Sequence, residues 1–176
     1  RTEQADLELA LYAGHGEFPR ALYAPVNVES AFRMAARAFN TAHKYQVQSI
    51  ILTDQYLLDS GYDIKRPDPS SVPGPIHPIK TGKDYKRYAF PKKGEYVSPF
   101  GVPGYGEGFV SFDSHEHTED AHITEDRSLR KAMVEKRLKK LEALTAEAVL
   151  PIVIGPAKYD TAVICWGSVF EPVKEA

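Results

Sequence analysis

The densest group of side chains that could do chemistry lies in residues 113–126. It contains three histidines and six acidic residues and no Lys or Arg. Imidazole and carboxylate groups together can bind zinc, iron or manganese. The helical zinc motif, however, needs two histidines four residues apart beside a Glu, and His115 and His117 are two apart. A solvent-exposed acidic segment that leads into the N-terminus of a helix has the same composition, so we expect no metal site here. The members of the group are Asp113, His115, Glu116, His117, Glu119, Asp120, His122, Glu125 and Asp126.

A second candidate is the short loop Gly14-His15-Gly16-Glu17. Glycine lets the backbone approach a ligand closely, so the loop could present N–H groups and the His15 imidazole to an anion or a carbonyl. The loop is too short for either nucleotide-binding glycine fingerprint, and residues 104–108 also miss the dinucleotide spacing. Termination of a helix by Gly14, followed by a turn, explains the same residues. Spacing alone leaves both interpretations open.

The single cysteine, Cys165, is predicted to be an inert core residue. A nucleophilic thiol needs a basic and partly exposed setting, which the neighbours Val163, Ile164 and Trp166 do not provide. One cysteine cannot form an internal disulfide or a four-thiolate cluster, so any redox centre must lie elsewhere. A chain with a single cysteine and no internal disulfide suits a reducing compartment.

Composition narrows the function classes further. The 176 residues suffice for one ordinary domain or one and a half small ones. A net charge of −2 argues against nucleic acid as the main partner. No run reaches the roughly 18 apolar residues of a membrane span, and the first residues carry no export signal, so we expect a cytoplasmic chain without membrane contact. The chain lacks an initiator Met and enters a helical pattern at once, so we expect a missing N-terminal part.

The elements that must position these residues alternate between helix and strand in the first third of the chain, as in α/β proteins. Thr2 is predicted to cap a helix that Gly14 ends, and a short strand follows near residues 20–25. Asn27 then caps a helix over residues 28–45, and residues 49–53 form an apolar strand of the kind found in parallel sheets covered on both faces. The buried face of the second helix is predicted to comprise Val28, Phe32, Ala35, Ala36, Phe39 and Ala42.

The composition changes in residues 67–108, which hold 8 of the 13 prolines and 7 of the 12 glycines. Because this stretch is also rich in tyrosine and phenylalanine, we expect an ordered excursion with one hairpin near residues 86–99. Thr124 is predicted to cap a long helix that extends to about residue 148. Residues 161–168 are predicted to form a buried strand that runs into a turn and a helix start at Glu171. The apolar stripe of the long helix is predicted to comprise Val134, Leu138, Leu141, Leu144 and Ala148.

Several segments, in order along the chain, resemble the alpha subunit of 2-oxoacid:ferredoxin oxidoreductases, most closely the 2-oxoglutarate type. Six matches in the order of the family are hard to obtain by chance. The segments are Arg1-Thr2-Glu3-Gln4-Ala5-Asp6-Leu7, Gly14-His15-Gly16-Glu17-Phe18-Pro19-Arg20, Leu52-Thr53-Asp54-Gln55-Tyr56-Leu57 with Asp59-Ser60, Tyr85-Lys86-Arg87-Tyr88, Glu116-His117 with His122-Ile123-Thr124-Glu125-Asp126, and Trp166-Gly167-Ser168.

The resemblance implies a thiamine-diphosphate enzyme that oxidatively decarboxylates a 2-oxoacid with coenzyme A and passes electrons through an iron–sulfur cluster to ferredoxin. In two-subunit members, the beta subunit supplies the diphosphate-binding motif, its Mg²⁺ and the cluster cysteines, while the alpha subunit supplies the pyrimidine-binding domain. The single cysteine and the lack of a Gly-Asp-Gly motif here agree with this division. The protein supplies orientation and electrostatics to such a cofactor.

The resemblance also implies a fold and a set of site residues. The fold class is α/β: part of a parallel-sheet, pyrimidine-type domain, followed by the start of a second α/β domain like the transketolase C-terminal domain. The family's pyrimidine-side glutamate normally precedes the point where this chain begins, so we expect no catalytic residue and no activity of the chain alone. Arg1, His15 and Arg20 are predicted to lie on the substrate-carboxylate side of the pocket, where cationic groups favour a dianionic 2-oxoacid.

The predicted division of the chain has four parts. Residues 1–62 end the pyrimidine-binding domain, residues 63–124 form the excursion, residues 125–150 form a connecting helix, and residues 151–176 begin the second domain. Within the same reaction class, pyruvate and branched-chain 2-oxoacids are alternative substrates to 2-oxoglutarate. Two alternatives come from other classes: an interaction module that docks through its aromatic excursion, and a metal-binding module built on residues 113–122.

Overall fold

A pair of parallel strands joined by a helix forms the centre of the fold in the computed structural model, which describes residues 5–74 and 76–176. The strands are β1 (Arg20–Tyr23) and β2 (Gln48–Ile51), with α2 (Val28–Tyr45) between them. The register runs from Arg20 opposite Gln48 to Tyr23 opposite Ile51. Helix α2 contacts both strands. The predicted parallel arrangement and the predicted bounds of α2 are confirmed.

The start of α2 is held by a reciprocal cap. The Asn27 side-chain oxygen accepts a hydrogen bond from the Ser30 N–H at 2.9 Å, and the Ser30 hydroxyl accepts one from the Asn27 N–H at 3.0 Å. Two backbone donors that the helix leaves free are satisfied in this way. At the other end, Gln46 adopts a left-handed conformation with φ of 50°, which stops the helix.

We expect Asn27→Ala to destabilise the first turn of α2 by about 1 kcal/mol, because the Ser30 amide loses its acceptor. Amide hydrogen exchange at Ser30 in the full-length protein measures this loss. Asn27→Ser is the matched control, since it keeps a capping oxygen while losing the rest of the amide. Equal exchange rates in the two variants would contradict the prediction.

The buried face of α2 differs from the predicted one. Ala38 and Tyr45 are buried, whereas Phe39 is 70% exposed. The residues of the predicted face cover more of the helix circumference than a two-stranded sheet can bury. Phe39, which follows Ala38, therefore points away from the strands. The other members of the predicted face are half-buried.

Two short helices flank the parallel pair. Helix α1 (Asp6–Tyr12) ends before Gly14 as predicted, and its N-terminal flanking residue is Ala5. The predicted cap Thr2 lies outside the described residues. Helix α3 (Gln55–Asp59) follows β2 and is capped by Asp54, whose carboxylate accepts from the Leu57 N–H at 2.9 Å.

The Pro- and Gly-rich excursion is ordered, as predicted, but its hairpin is wrong. A 3₁₀ turn covers Pro69–Ser71, and strands β3 (Ile79–Thr81) and β4 (Gly101–Gly106) pair in parallel. Residues 86–99 contain turns instead of two paired strands. Pro91 and Pro99 fall in the predicted arms of the hairpin, and proline has no N–H for a strand ladder. The Tyr85 hydroxyl closes this stretch by donating to the Pro99 carbonyl at 2.9 Å.

Helix α4 (Arg127–Ala146) lies where the long helix is predicted, but it has a different cap and a different buried face. Asp126, instead of Thr124, is the cap, because its carboxylate accepts from the N–H groups of both Ser128 and Leu129. Met133 is 1% exposed and is the buried residue of the helix. The predicted stripe is largely open to solvent, with Leu141 53% exposed, since the neighbours in the described chain lie along the Met133 side.

The predicted buried strand over residues 161–168 is also wrong. Residues 161–166 have no regular structure, and Ile164 is 92% exposed. A strand needs a neighbour to accept and donate its backbone hydrogen bonds, and none of the described segments lies beside this one. The prediction that Cys165 is a core residue is therefore also wrong, since Cys165 is half-buried in an irregular segment between the exposed residues Ile164 and Trp166. The chain regains structure in a 3₁₀ turn (Gly167–Val169) and helix α5 (Phe170–Glu175), which agrees with the predicted helix start. No helix of the described residues has the length and apolarity to cross a membrane.

Candidate functional site

The glycine loop lies at the amino-terminal edge of the parallel pair, directly before β1. Arg20, the first residue of β1, donates from Nη1 to the Ala10 carbonyl at 2.9 Å and places its guanidinium 4.3 Å from the centre of the Phe18 ring. A Cβ atom on Gly14 would lie 2.8 Å from the Phe18 ring, and its φ of +123° is unfavourable for other residues. Glycine at position 14 therefore lets the loop close over Phe18 and Arg20.

The three residues predicted to face a substrate carboxylate are only partly brought together. Arg20 lies against the loop that carries His15, and the His15 side chain is exposed. Arg1 lies outside the described residues. The Arg20 guanidinium reaches back to the Ala10 carbonyl inside α1, so this side chain links β1 to that helix.

The opposite, carboxyl-terminal edge of the pair carries two helix caps. Ligands of parallel sheets commonly bind at this edge. Here Asp54 accepts the Ser168 N–H at 3.1 Å, and Asn27 donates to the Glu171 carboxylate at 3.3 Å. The hydrogen bonds from Leu57 and then from Ser168 hold the pKa of Asp54 below its usual value, so this carboxylate is charged and fully occupied at neutral pH. The chain's own residues 167–171 therefore close this edge.

A cleft of about 580 Å³ opens beside the glycine loop at the amino-terminal edge. Phe18, Val47 and Phe100 supply its apolar walls, while Arg87 and Lys140 supply cationic ones. We call this feature the cationic cleft. Its full lining is Phe18, Pro19, Ala42, His43, Gln46, Val47, Gln48, Arg87, Phe100, Arg137 and Lys140.

Gln46 fixes two of the cations of the cleft side by side. Its side-chain oxygen accepts from Arg87 Nη1 at 2.5 Å, and its backbone carbonyl accepts from Lys140 Nζ at 2.9 Å. Gln46 is the left-handed residue that ends α2, so both cations are held at the C-terminal end of that helix. The Gln46 amide nitrogen donates to the Ser98 carbonyl, which ties the excursion to α2.

The cations of this region shift one another's protonation. Burial lowers the pKa of Lys140 to about 8, with further contributions from the charges of Arg87 and Arg137. Burial also lowers the pKa of Lys136 to about 8, and the Lys140 charge adds to the effect. Placing several cations in a partly desolvated site disfavours the protonated form of each lysine.

Glu116 is the carboxylate that pairs directly with a cation of the cleft. Glu116 accepts two parallel hydrogen bonds from Arg137, at 3.1 and 2.8 Å. The Arg137 bond is the main reason that the pKa of Glu116 lies below its usual value. Both oxygens of Glu116 are used in this pair, so Arg87 and Lys140 keep neutral oxygen partners.

The residues considered as metal ligands are used in other contacts. The His117 ring is buried and stacks on Tyr88 with 3.7 Å between the ring centres. His115 pairs with Asp113 at 3.5 Å, and His122 pairs with Asp120 at 3.2 Å. Within residues 5–74 and 76–176, no three His, Cys, Asp or Glu side chains converge as a metal site would require.

Sequence reasoning missed the cationic cleft altogether. Its polar members come from the end of α2, the middle of the excursion and two turns of α4. The one available signal was the base-rich stretch over residues 127–140, which follows the acidic group. Nothing in the spacing of that stretch indicates that Arg87 joins it.

The amino-acid sequence of this chain is similar to those of known proteins. Residues 1–136 match the family model of the thiamine-diphosphate-binding domain of pyruvate flavodoxin/ferredoxin oxidoreductases. A 2-oxoacid:ferredoxin oxidoreductase subunit alpha from Saccharolobus solfataricus is 37% identical over 96% of this chain and 27% of its own length. The 2-oxoglutarate oxidoreductase subunit KorA of Mycobacterium tuberculosis is 27% identical over the whole chain and 27% of its own length.

A solved structure extends the similarity to the fold. The 2-oxoglutarate:ferredoxin oxidoreductase from Magnetococcus marinus, with 2-oxoglutarate, coenzyme A and succinyl-CoA bound, superposes with a TM-score of 0.84 at 28% identity. The match covers 98% of this chain and 30% of that one. The chain thus spans between a quarter and a third of the length of the proteins it matches.

Proposed function

Because this chain belongs to the thiamine-diphosphate-binding family of pyruvate flavodoxin/ferredoxin oxidoreductases, we propose that it is part of the alpha subunit of a 2-oxoacid:ferredoxin oxidoreductase. The resemblance and the α/β fold class derived from the sequence are both confirmed. The observation that carries the proposal is identity of 37% to a named alpha subunit along almost the whole chain.

The proposed reaction is oxidative decarboxylation of a 2-oxoacid with coenzyme A, giving an acyl-CoA and carbon dioxide, with electrons passed to ferredoxin. We propose 2-oxoglutarate as the substrate. The support is that the structural neighbour was solved with 2-oxoglutarate and succinyl-CoA, and that a relative is named for 2-oxoglutarate. Pyruvate and branched-chain 2-oxoacids are the alternative substrates within the same reaction.

The described residues fit the coenzyme poorly on their own. At the carboxyl-terminal edge of the parallel pair, Asp54 and Asn27 are occupied as helix caps and as partners of Ser168 and Glu171, so these two side chains are not free to hold a cofactor. We therefore propose that thiamine diphosphate, its Mg²⁺ and the iron–sulfur cluster are held mainly by groups of the beta subunit, and that this chain contributes shape and charge to the pocket.

We propose a division of the chain into four parts, based on its helices and strands and on the extent of the family match. Residues 1–62 contain the parallel pair and end the pyrimidine-type domain, and residues 63–124 form the excursion. Residues 125–150 contain α4 as the connecting helix, and residues 151–176 begin a second α/β domain with α5. The family match over residues 1–136 supports assigning the excursion to the first domain.

The test is turnover by the full-length protein assembled with its beta subunit. Coenzyme-A-dependent reduction of ferredoxin with 2-oxoglutarate, and formation of succinyl-CoA, are the expected results. Faster turnover of pyruvate than of 2-oxoglutarate would overturn the substrate assignment. Failure to reduce ferredoxin with any 2-oxoacid would overturn the proposed function.

We propose that Arg1, His15 and Arg20 lie on the side of the pocket that receives the substrate carboxylates. The exposed imidazole of His15 lies on the glycine loop, and the guanidinium of Arg20, the first residue of β1, lies against the Phe18 ring directly after that loop, which supports a shared role. Cationic and hydrogen-bonding groups of this kind recognise carboxylates through charge-assisted hydrogen bonds.

We expect His15→Ala in the assembled enzyme to lower kcat/KM for 2-oxoglutarate by about tenfold, the size expected when one hydrogen bond to a charged group is lost. Glu17→Gln in the same loop is the control and should leave kcat/KM within about twofold. An unchanged kcat/KM in His15→Ala would show that the pocket does not extend to this loop and would remove His15 from the site.

A further inference from the structure

We propose that the cationic cleft, which adjoins the glycine loop, binds a phosphate-type oxyanion. The ligand class is a phosphate dianion, either inorganic or carried by a larger molecule. The cleft lies at the amino-terminal edge of the parallel pair and is bounded by Phe18, Gln46, Arg87, Phe100 and Lys140.

The charge balance of the cleft is the first argument. Arg87, Arg137 and Lys140 line it, and Lys136 lies close enough to Lys140 for their charges to interact. Glu116 is consumed by its two hydrogen bonds to Arg137. The other nearby acid, Glu119, accepts the Phe90 N–H at 2.9 Å and lies 3.7 Å from Lys86.

The excess positive charge therefore falls on Arg87 and Lys140. Both donate to oxygens of one neutral residue, Gln46, and neither has a carboxylate partner among the described residues. Like charges held together in a partly desolvated site repel each other, and a bound anion relieves this repulsion. Phe18 and Phe100 add apolar surface to the cleft, and the attraction between opposite charges is stronger beside apolar groups than in bulk water.

The free donors are the second argument. Arg87 makes one side-chain hydrogen bond among the described residues, from Nη1 to Gln46, which leaves further N–H groups of its guanidinium for a ligand. Lys140 uses one of its N–H groups on Gln46, which leaves two for a ligand. A guanidinium beside an ammonium matches the several oxygens of a phosphate, because both groups donate hydrogen bonds and accept none. Gln46 holds the two cations in place before the ligand arrives, which reduces the entropy cost of binding.

Competitive amine labelling of the full-length protein, assembled with its partner subunit, tests this site. A small acylating reagent is applied at pH 8, where Lys140 is partly neutral and reactive, and the labelled peptides are quantified by mass spectrometry. The media contain sodium phosphate, AMP or sodium chloride at equal ionic strength. Saturating phosphate or AMP should slow labelling of Lys140 by about tenfold relative to chloride, since an occupied site shields the amine.

Lys139 is the internal control, because it is the next residue on α4 and is exposed. Its labelling rate should be the same in all three media. Protection by AMP at lower concentration than by inorganic phosphate would identify a nucleotide-borne phosphate as the ligand, while equal protection would identify the free ion. Arg87→Gln should abolish protection of Lys140, and Arg87→Lys, which keeps a cation, should retain part of it.

Three results would overturn the proposal. The first is equal labelling of Lys140 in phosphate, AMP and chloride. The second is equal protection of Lys139 and Lys140, which indicates a general effect of the anion on the protein surface. The third is a Lys140 that stays unlabelled in every medium, which indicates that another part of the assembly fills the cleft.

Discussion

Replacing Gly106 by Ala will destabilise the excursion by about 3 kcal/mol, the largest effect we expect from a single methyl group in this chain. Gly106 has a φ of +116°, and a Cβ atom there would collide with the backbone nitrogen and oxygen of Thr81 on the paired strand. Backbone atoms cannot rotate away as a side-chain tip can, so β3 and β4 must separate. Thr81 is 3% exposed, and its hydroxyl and backbone bind residues 105–108.

Gly104→Ala is the matched control for this variant. Gly104 also has a positive φ, of +78°, but no atom lies within 4 Å of the Cβ position. It should therefore lose only about 1 kcal/mol, the cost of the left-handed conformation. The urea midpoint of the full-length protein measures both variants, and hydrogen exchange at the Glu107 amide, which donates to Thr81, reports the local opening. Losses of equal size would show that strain, and not the close approach of the strands, determines the effect.

Replacing Glu116 by Gln will destabilise the contact between α4 and the excursion by about 2 kcal/mol. The change leaves the Arg137 guanidinium beside Arg87 and Lys140 without its carboxylate. Glu116 is 18% and Arg137 is 36% exposed at the side chain, so water recovers part of the lost interaction, and we expect less than the loss of a fully buried pair.

Glu135→Gln is the control for this charge removal. Glu135 pairs with Lys131 on the outer side of α4, at 3.9 Å and with both side chains mostly exposed. Its loss should change the free energy of unfolding by about 0.5 kcal/mol or less. Urea unfolding of the two variants at pH 7 measures the difference. A Glu116→Gln variant as stable as Glu135→Gln would show that the cations around Arg137 do not need this carboxylate.

The free energy of unfolding at acidic pH provides a second test of the Glu116 prediction. The folded-state pKa of Glu116 is lowered, so its contribution is fully present above the unfolded-state pKa and is lost as the pH falls through the lower folded-state value. The native protein should lose this stability on acidification below about pH 4.5, the ordinary value for Glu. Glu116→Gln should lose less over the same range, because it has no such carboxyl group to protonate.

The central helix and the parallel pair could be predicted from sequence because their signals are local. Asn27 caps α2 through a residue only three positions away. The apolar runs of β1 and β2 have the length of buried strands and are bounded by turn residues. The predictions that failed depend on what lies next to an element. Phe39 matches the period of a buried helix face, yet the narrow two-stranded sheet leaves it exposed.

The segment over residues 161–166 failed for a related reason. Its apolar composition is typical of a strand, but composition does not supply a neighbouring strand. The cationic cleft could not be predicted because Gln46, Arg87 and Lys140 are separated by 41 and 53 positions in the sequence. Only the folding of the excursion back onto α2 and α4 brings them together, and a charge count of −2 hides a local surplus of cations.

The closed carboxyl-terminal edge makes the two sides of the parallel pair mechanically dependent on each other. Asn27 and Asp54 each use one atom to start a helix and another to grip residues 168–171. A pull on that C-terminal stretch is therefore transmitted to the first turn of α2. The 18 residues of α2 form a rod of about 27 Å whose far end is Gln46, the residue that spaces Arg87 from Lys140. The same helix therefore ties the C-terminal stretch to one edge of the parallel pair and the two cations to the other.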